Sequence, residues 1–315
     1  MNSVLITGGT GSFGQAFVTR LLRENLATRI IIFSRGEHLQ EDMERRFNDD
    51  RLRFFIGDVR DRDRLELAMR NVDTVVHAAA LKVVPIAEYN PTECVRTNIH
   101  GAENVVTAAI RSGVRRVVAL STDKAVSPIN LYGASKLAAE KIFTAANALA
   151  AGSCHFNVVR YGNVAGSRGS VLPLFKKFKE ENKPFTITDE AMTRFWITLD
   201  QSVSLVLSAI DLAKSGLHSK TLIPKIPSIL ITDLAKAIDP DRKIKIIGIR
   251  PGEKLHECLM TADEARTAAE WAKFFIIHES KYMFNPEETQ LTPGFNYSSD
   301  TNTDWLSVEQ LRSML

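Results

Sequence analysis

Residues 1–163 alternate short runs rich in Val, Ile and Phe with longer amphipathic stretches, and this alternation limits the possible folds more than any other feature. The runs have the length and composition of β-strands, namely Val4–Thr7, Ile30–Ser34, Arg53–Ile56, Thr74–His77, Val117–Ser121 and Asn157–Arg160. Helical patterns such as Phe13–Glu24 and Leu65–Arg70 lie between them. Because strands that alternate with helices pair in parallel, the sequence predicts an α/β fold with a doubly wound parallel sheet.

The pattern changes after about residue 163, where prolines separate shorter elements. Helices are predicted near Asp200–Lys214, near Thr232–Ile238 and after Ser307. We therefore predict a first domain over 1–163, to whose sheet strands from the second half can return. A smaller domain over 164–315, including the C-terminal tail, is expected to cover the carboxyl ends of the strands, where ligands of open α/β sheets bind.

Composition argues against several classes of protein. The chain has 315 residues and a formal net charge of +3, with 40 basic and 37 acidic side chains, so we expect no nucleic-acid partner. Cys94, Cys154 and Cys258 are far apart and lack metal-ligand spacing, so neither a disulfide framework nor a metal site is predicted. No apolar run approaches the roughly 20 residues that span a bilayer, and no signal peptide is recognisable. We therefore expect a cytoplasmic protein without a membrane partner.

A glycine-rich turn, TGGTGSFG over 7–14, follows the first predicted strand and opens the first helix. Glycines at 8, 11 and 14 allow the backbone to turn sharply and to approach a pyrophosphate, whose charge meets the N–H groups of the helix start. A purely structural tight turn is the alternative, but the position in the first βαβ unit favours a dinucleotide site. The cofactor contacts predicted in the turn are Gly8, Thr10, Gly11, Ser12, Phe13 and Gly14.

The second strand ends in Ser34 and Arg35, with no acidic residue at its tip. An Asp or Glu there would bind the ribose 2′-hydroxyl of NAD, whereas an Arg can receive the 2′-phosphate of NADP, so the sequence favours NADP. More cofactor contacts are expected where the following strands end, at Asp58, Val59, Ala78, Ala79, Ala80, Leu120 and Ser121. Helix packing alone would explain the three alanines equally well.

Tyr132 and Lys136 are four residues apart and share one face of a predicted helix. A phenol with a pKa of about 10 is a poor base at neutral pH, but nearby ammonium groups favour the phenolate. We therefore expect Lys124 and Lys136 to lower the pKa of Tyr132, which can then take a proton from a hydroxyl whose carbon gives up a hydride. A helix-surface pair is the alternative, and the preceding strand with its Ser-Thr doublet favours the catalytic interpretation.

Three segments, TGGTGSFG, STDKAVSPINLYGASK and RYGNVAGSRGSV, resemble the UDP-N-acetylglucosamine 4,6-dehydratases of the C5-inverting type, which have a Rossmann-like fold and belong to the extended short-chain dehydrogenase/reductase superfamily. The similarity continues through MTRFWITLD, PKIPS, IIGIRPGEKLHE and YSSDTN. The doublet Asp123-Lys124 is its specific part, because retaining dehydratases typically carry Asp-Glu there and epimerases usually lack the pair.

This resemblance implies a hydro-lyase that converts UDP-N-acetylglucosamine to UDP-2-acetamido-2,6-dideoxy-beta-L-arabino-hex-4-ulose. That reaction is the first step of pseudaminic acid synthesis, which serves flagellin glycosylation. The resemblance also implies a homo-oligomer such as a hexamer.

The resemblance further assigns roles to individual residues. It implies that Tyr132 is the base for the C4 hydroxyl, Lys124 the base for C5 and Asp123 the acid for the leaving C6 hydroxyl. Thr122 would bind the C4 oxygen, and Lys136 would orient the nicotinamide ribose. Because Lys124 must be neutral to accept a proton, we expect nearby positive charge to lower its pKa. Cofactor contacts are also implied at Lys82 and Asn98, and substrate contacts at Lys82, Asn163, Val164, Thr186, Arg194, Arg250 and Glu253.

Some positions leave more than one interpretation. An arginine such as Arg250 suits bidentate recognition of a diphosphate, and a surface ion pair is its alternative. Three positions depart from the family's pattern: Val83 stands where a histidine is frequent, Leu39 where a lysine is, and Asn296 where a glutamate is.

Two other functions stay open at this point. A nucleotide-sugar epimerase, or a dehydratase of a capsule or O-antigen pathway, would share the fold and the Tyr–Lys pair, and an epimerase would give a product of unchanged mass. A non-enzymatic NADP-binding regulator usually lacks the Tyr or the Lys, and both are present here.

Overall fold

A computed structural model describes residues 1–167, 169–215, 220–279 and 284–315. Arg168, in the RYGNVAGSRGSV segment, lies outside them. The strands are β1 (Ser3–Thr7), β2 (Arg29–Ser34), β3 (Leu52–Ile56), β4 (Thr74–His77), β5 (Arg116–Thr122), β6 (His155–Tyr161), β7 (Asn163–Val164), β8 (Phe185–Ile187), β9 (Thr193–Ile197), β10 (Thr221–Pro224), β11 (Ser228–Leu230), β12 (Ile244–Ile246), β13 (Cys258–Met260), β14 (Ala268–Trp271), β15 (Phe274–Ile277), β16 (Thr289–Gln290) and β17 (Tyr297–Ser298).

The helices connect these strands and cover the faces of the sheet. They are α1 (Ser12–Arg23), α2 (Glu37–Phe47), α3 (Arg62–Ala68), α4 (Val84–Tyr89), α5 (Pro91–Val95), α6 (Gly101–Arg111), α7 (Leu131–Ala150), α8 (Val171–Glu180), α9 (Leu199–Lys214), α10 (Ile231–Ile238), α11 (Ala262–Ala265) and α12 (Val308–Ser313). A π-helical turn over Arg96–His100 joins α5 to α6, and a 3₁₀ turn over Asp123–Ala125 follows β5.

The main sheet has the strand order β16-β14-β15-β10-β6-β5-β4-β1-β2-β3. Its strands are parallel from β3 to β10, and β15, β14 and β16 add to the far edge in antiparallel pairs. The predicted doubly wound parallel sheet is therefore confirmed. The order reverses between β1 and β4, and such a switch point is where open α/β sheets bind their ligands.

Alternate residues of the central strands pack on opposite faces of the sheet, as the pleat of a strand requires. Val4 and Ile6 of β1 belong to an apolar cluster with α1 and α9, whereas Leu5 belongs to the cluster with α3, α6 and α7. Because both faces are covered, β1 is an uninterrupted apolar run rather than an alternating one. The two layers of helices hold the carboxyl ends of the strands in fixed positions.

Residues after 163 contribute to the main sheet and also form separate small sheets. Strands β10, β14, β15 and β16 extend the main sheet, while β7, β9 and β11 form a three-stranded sheet. Strand β8 pairs with β12, and β13 pairs with β17. The domain boundary at residue 163 stays a prediction. The three helices predicted in the second half are confirmed as α9, α10 and α12, to within about one residue at each end. Among the described residues, no helix has both the length and the apolar character needed to cross a membrane.

Candidate active site

A cavity of about 1520 Å³ lies where β1 to β5 of the main sheet end, and segments of the second half form its other wall. Every predicted site residue lines it except Asn98. The cavity therefore brings the glycine-rich turn, the Tyr–Lys pair and the predicted substrate contacts to one place. On the wall from the second half are Asn163, Val164, Thr186, Arg194, Arg250 and Glu253.

The glycine-rich turn has the geometry that close approach to a pyrophosphate needs. Gly8 has a φ of +68°, and a Cβ there would lie 3.0 Å from the backbone nitrogen of Ala79. A Cβ on Gly14 would lie 2.3 Å from the carbonyl oxygen of Gly9, so α1 packs directly on the turn. Gly11 is the N-cap residue of α1 and supplies no side-chain cap. The positive end of α1 is thus directed to the cavity, as an anion site requires.

The end of β2 carries the two residues that we expect to recognise the adenosine ribose. The Ser34 hydroxyl accepts a hydrogen bond of 2.9 Å from the Gln40 amide, which is buried and also donates to the backbone at Ser34 and Phe55. The Arg35 side chain is 61% exposed, with a guanidinium nitrogen 3.9 Å from a carboxylate oxygen of Asp58. Of the positions that depart from the family's pattern, Leu39 and Val83 line the cavity, and Asn296 accepts from the thiol of Cys258.

Buried polar atoms without partners in the cavity wall indicate a polar ligand. Six side-chain oxygens that are shielded from solvent have no hydrogen-bond partner within the described residues, and they belong to Thr97, Ser121, Asp123, Asn163, Ser170 and Glu257. All six residues line the cavity. Since a buried polar atom without a partner costs free energy, such a set is typical of a site completed by a polar ligand.

Tyr132 is held beside the Asp123-Lys124 doublet by the start of α7. Asn130 caps this helix, its side-chain oxygen accepting a hydrogen bond of 2.7 Å from the backbone N–H of Gly133. A Cβ on Gly133 would lie 2.1 Å from the carbonyl oxygen of Lys124, so only glycine allows the helix to pack so closely on the 3₁₀ turn. The predicted pairing of the phenol with the acid and the amine therefore depends on a close backbone contact.

Burial dominates the titration of the Tyr–Lys pair. Tyr132 is 8% exposed, and burial raises its pKa to about 12, although Lys124 acts in the opposite direction. The expected effect of Lys124 is therefore confirmed in direction, but burial outweighs it, so the expected net lowering of this pKa is wrong for the protein alone. Burial lowers the pKa of Lys136 to about 8, and its ammonium donates a hydrogen bond of 2.7 Å to the carbonyl of Leu120.

Lys124 lies between two buried carboxylates. Its Nζ is 3.0 Å from Oδ1 of Asp123 and 3.1 Å from Oε1 of Glu257. Desolvation disfavours the ammonium, but the two carboxylates outweigh desolvation and the repulsion from Arg194, so the pKa of Lys124 is raised above its ordinary value. The expected lowering by positive charge is therefore wrong, since the neighbours closest to the amine are acidic.

Glu257 is a candidate site residue that sequence reasoning missed. It is 2% exposed and lines the cavity, far along the chain from Lys124. Its backbone is fixed from both sides by Ser299, whose hydroxyl accepts from the Glu257 N–H at 2.9 Å and whose N–H donates to the Glu257 carbonyl at 2.8 Å. The residue ends the IIGIRPGEKLHE segment, and Ser299 lies in YSSDTN, so the resemblance was the only signal for either.

Arg194 supports the segment that carries Glu257. It is buried, and its guanidinium donates to the carbonyls of Thr193, Lys254 and Leu255 at 2.7, 3.0 and 3.0 Å. Its Nε lies 3.9 Å from Oε1 of Glu257. The structure thus places Arg194 at the cavity wall with most of its donors used by the backbone.

Arg250 and Glu253 form the ion pair that we gave as the alternative for Arg250. Nη2 of Arg250 donates to Oε1 of Glu253 at 2.8 Å, and Nε donates to Oε2 at 3.2 Å. The Arg250 side chain is 65% exposed. Both residues line the cavity, so the guanidinium lies at its mouth with one face open to solvent.

Asn98 lies behind the cavity wall, on the π-helical turn. Its amide nitrogen donates to the Leu81 carbonyl and to the Ser135 hydroxyl, each at 2.9 Å, and its amide oxygen accepts from the Leu81 N–H at 2.8 Å. The side chain is thus occupied by protein partners. It ties the segment after β4 to α7, in place of the direct cofactor contact that the resemblance implies.

Comparison with known proteins identifies a family and several similar enzymes. The chain matches, over residues 4–279, the family described as polysaccharide biosynthesis protein. It is 49% identical to the UDP-N-acetylglucosamine 4,6-dehydratase (inverting) of Campylobacter jejuni, over 99% of this chain and 97% of that protein. It is 42% identical to the UDP-glucose 4-epimerase of Rickettsia bellii, over 99% of this chain and 95% of that protein.

Solved structures support the fold. The X-ray structure of Pen from Bacillus thuringiensis is similar with a TM-score of 0.91 and 40% identity, over 99% of this chain and 96% of that chain. The dTDP-glucose 4,6-dehydratase DesIV from Streptomyces venezuelae, solved with NAD bound, gives a TM-score of 0.70 at 24% identity, over 80% and 86% of the two chains. At that identity the second likeness bears on the fold alone.

Proposed function

The chain belongs to the polysaccharide biosynthesis protein family, and from this premise we propose that it catalyses the NADP-dependent 4,6-dehydration of UDP-N-acetylglucosamine with inversion at C5. Its resemblance to the inverting UDP-N-acetylglucosamine 4,6-dehydratases is confirmed by the identity of 48% and 49% to two such enzymes along 99% of the chain. The proposed enzyme is a hydro-lyase.

The observation that carries this proposal is the contact between Asp123 and Lys124 beside Tyr132. Oxidation and reduction at a sugar carbon need a single acid–base group, which the Tyr–Lys pair supplies. Elimination of water needs two more, a base for the C–H proton and an acid for the leaving hydroxyl. The carboxyl and the amine, 3.0 Å apart and lining the same cavity as the phenol, provide that additional pair.

The cofactor proposal rests on the turn and on the tip of β2. The residues that would hold a dinucleotide all line the cavity, namely Gly8, Gly11 and Gly14 of the turn, Asp58 and the alanines after β4. When bound, a nicotinamide supplies a hydride acceptor and later a hydride donor for the sugar. The tip of β2 carries Ser34 and Arg35 and no acidic residue, and this supports NADP over NAD.

The protein's own groups then move three protons. Tyr132 takes the proton of the C4 hydroxyl as C4 is oxidised, assisted by Lys124, which lowers the pKa of the phenol against the effect of burial. The resulting ketone acidifies the proton on C5, and Lys124 removes it. Asp123 donates a proton to the C6 hydroxyl as it leaves as water. Thr122, whose hydroxyl donates to Oδ1 of Asp123 at 2.9 Å, lies where it can also bind the C4 oxygen.

A nucleotide-sugar epimerase is the second candidate, favoured by the 42% identity to the Rickettsia bellii enzyme along 99% of this chain. Epimerisation at C4 leaves the C5 proton and the C6 hydroxyl in place. It would therefore give the buried Asp123-Lys124 pair no chemical task, and we prefer the dehydratase for that reason.

Product analysis in deuterated water tests the proposal. Purified protein is incubated with UDP-N-acetylglucosamine and NADP, and the product is examined by mass spectrometry and NMR. We expect loss of one water, a C4 ketone, and solvent deuterium at C5 with inverted configuration. A product of unchanged mass without deuterium at C5 would contradict dehydration and indicate an epimerase.

Three further features belong to this proposal. The product would enter pseudaminic acid synthesis, which serves flagellin glycosylation. The names of the Campylobacter jejuni relatives support the reaction and mention no pathway. A homo-oligomer such as a hexamer and a cytoplasmic location stay predictions.

A further inference from the structure

Lys124 contacts one carboxylate more than the elimination uses. The amine lies 3.0 Å from Asp123 and 3.1 Å from Glu257, and these side chains are 1% and 2% exposed. The proposed reaction gives a task to Asp123, as the acid, and to Lys124, as the base. It leaves Glu257 without a task, although burying a carboxylate is costly unless the group is paired or used.

The state of Lys124 in the protein alone is the wrong one for a base. The two carboxylates hold its amine protonated, and an ammonium cannot accept the C5 proton. Before elimination the proton on Nζ must therefore move to a neighbour, and the neighbours within hydrogen-bond distance are the two carboxylates. Asp123 is a carboxylate in the protein alone, but it must gain the proton that it later gives to the leaving hydroxyl. Glu257 is then the carboxylate that remains to accept the Nζ proton.

We propose that Glu257 accepts the Nζ proton of Lys124 before elimination and returns it when the cycle closes. This inference rests on the proposed dehydration. Glu257 acts through Lys124: it determines whether the amine is protonated and does not itself contact the sugar. It is therefore a positioning residue.

The proton count closes with this assignment. First an N–H bond of the Lys124 ammonium breaks and an O–H bond forms on Glu257, which leaves two neutral groups. Next the C5–H bond breaks, its proton forms a new N–H bond on Lys124, and its electron pair forms the C5–C6 double bond as the C6–O bond breaks. Asp123 gives its proton to the departing hydroxyl, and water is formed. The proton that Asp123 gives up comes from the C4 hydroxyl, released when C4 is oxidised and passed on through Tyr132 before elimination. As C6 is then reduced, a new C–H bond forms at C5 on the opposite face with a proton from solvent. Lys124 gives to solvent the proton that it took from C5, and Glu257 returns its proton to the neutral amine, which restores the starting state.

The geometry favours Glu257 over the other acid nearby. Oε1 of Glu257 contacts the amine, and Oε2 is buried without a hydrogen-bond partner among the described residues. The carboxyl therefore has one oxygen that no other group uses. Glu253 instead pairs with Arg250, and its closest approach to the cluster is 3.8 Å, to Arg194.

The charged groups around the pair come from four segments. Asp123 belongs to the 3₁₀ turn and Tyr132 to α7, and both face Lys124. Arg194 of β9 lies 3.9 Å from Glu257 and disfavours charge on Lys124. On the segment that carries Glu257, the Lys254 ammonium donates to the carbonyl of Val126, and His256 is hydrogen-bonded to Thr193. Transfer of the proton within the pair changes no net charge, so these surroundings need not rearrange.

The variant Glu257→Gln tests the inference, because an amide has nearly the same shape but cannot accept the proton. We expect elimination in a single turnover to slow by roughly 10²-fold, the lower range for loss of a proton-transfer group. Oxidation at C4, followed by the absorbance of the reduced cofactor, should keep its rate, so the reduced cofactor accumulates. KM should change little. Asp263→Asn, which removes an exposed carboxylate near the same segment, is the matched control and should behave as wild type.

The opposite result is equally measurable. If Glu257 merely holds Lys124 in its charged form, the glutamine variant will free the amine and eliminate water faster than wild type, and the inference is then wrong. An unchanged elimination rate overturns it as well. Should the glutamine variant fail to fold, Glu257→Asp is used: it keeps the acid but withdraws it by one methylene, and we expect slowed elimination with normal oxidation.

Wild-type protein run in parallel separates this inference from the proposed function. If wild type gives no dehydrated product, the proposed function fails. If wild type dehydrates the sugar while Glu257→Gln matches Asp263→Asn, only the role of Glu257 fails.

Discussion

Two lysines lie near Tyr132, and their pockets shift their pKa values in opposite directions. The pocket of Lys136 is built from β5 and α7, close in sequence, and offers the amine a backbone carbonyl. Burial lowers its pKa to about 8, against the smaller opposite effect of Glu140. The pocket of Lys124 is completed by Glu257 from the far part of the chain, and its carboxylates raise the pKa. The pKa of a lysine thus depends on the burial and the charges that the surrounding structure brings to it, more than on the motif in which it lies.

This difference separates orientation from chemistry. A lysine that sheds its proton easily, as Lys136 does, can hold a ribose and a phenol without a fixed charge. A lysine held protonated by carboxylates, as Lys124 is, needs a partner that takes the proton before it can act as a base. The predictions below test whether the two pockets differ in this way.

The pH dependence of stability distinguishes the two pockets most strongly. The folded protein holds the Lys136 proton less tightly than the unfolded chain, whose lysines titrate near 10.5. Its contribution to stability is therefore lost as pH falls through about 8 and is fully present above 10.5. A shift of this size corresponds to about 3 kcal/mol, so the free energy of unfolding should rise by about that amount across this window.

For Lys124 the sign is reversed. Its raised pKa contributes stability that is present below about pH 10.5 and lost as pH rises through the higher folded value. Chemical denaturation at a series of pH values measures both effects. The difference between wild type and Lys136→Met should show the rise between pH 8 and 10.5, and the difference between wild type and Lys124→Met should lack it. Parallel curves for wild type and Lys136→Met would contradict the account.

A smaller effect on stability is expected at Gly133, where α7 packs on the 3₁₀ turn that carries Lys124. In Gly133→Ala the new Cβ would lie 2.1 Å from the Lys124 carbonyl oxygen, so α7 or the 3₁₀ turn must move. We expect a loss of about 2 kcal/mol in the free energy of unfolding, typical of overpacking, with slower dehydration. Gly36→Ala is the matched control, since its Cβ would meet the flexible end of Leu39 at 3.3 Å. Equal unfolding midpoints for the two variants would rule out the proposed backbone contact.

The features that could be predicted from the sequence depend on residues that are contiguous in it. The strands of the parallel sheet follow from apolar runs such as β1, and the turn over 7–14 from its glycine spacing, because both depend on local backbone demands. The location of Tyr132 and Lys136 on one helix, where both line the cavity, follows from helical spacing. These signals need no knowledge of how distant segments meet.

What sequence could not predict depends on contacts between distant segments. Nothing in the pattern around Glu257 shows that its carboxylate reaches Lys124, so the direction of the lysine's pKa was predicted wrongly. Burial of Tyr132, which packs against Ala87 and Cys94 from other elements, likewise outweighs the neighbouring ammonium. The partners of Asn98 also lie on other elements, and a motif assigns such a residue to the cofactor when its contacts are with the protein.

The central claim is that the amine of Lys124 removes the C5 proton. Its most direct test is a single turnover of Lys124→Ala in deuterated water, followed by the absorbance of the reduced cofactor and by NMR of the sugar. We predict that cofactor reduction slows, because Tyr132 loses the ammonium that lowers its pKa, and that water loss slows more, by roughly 10³-fold. Reduced cofactor should then accumulate, with no deuterium at C5 on the wild-type timescale. A dehydrated sugar carrying deuterium at C5, formed as fast as with wild type, would contradict the claim.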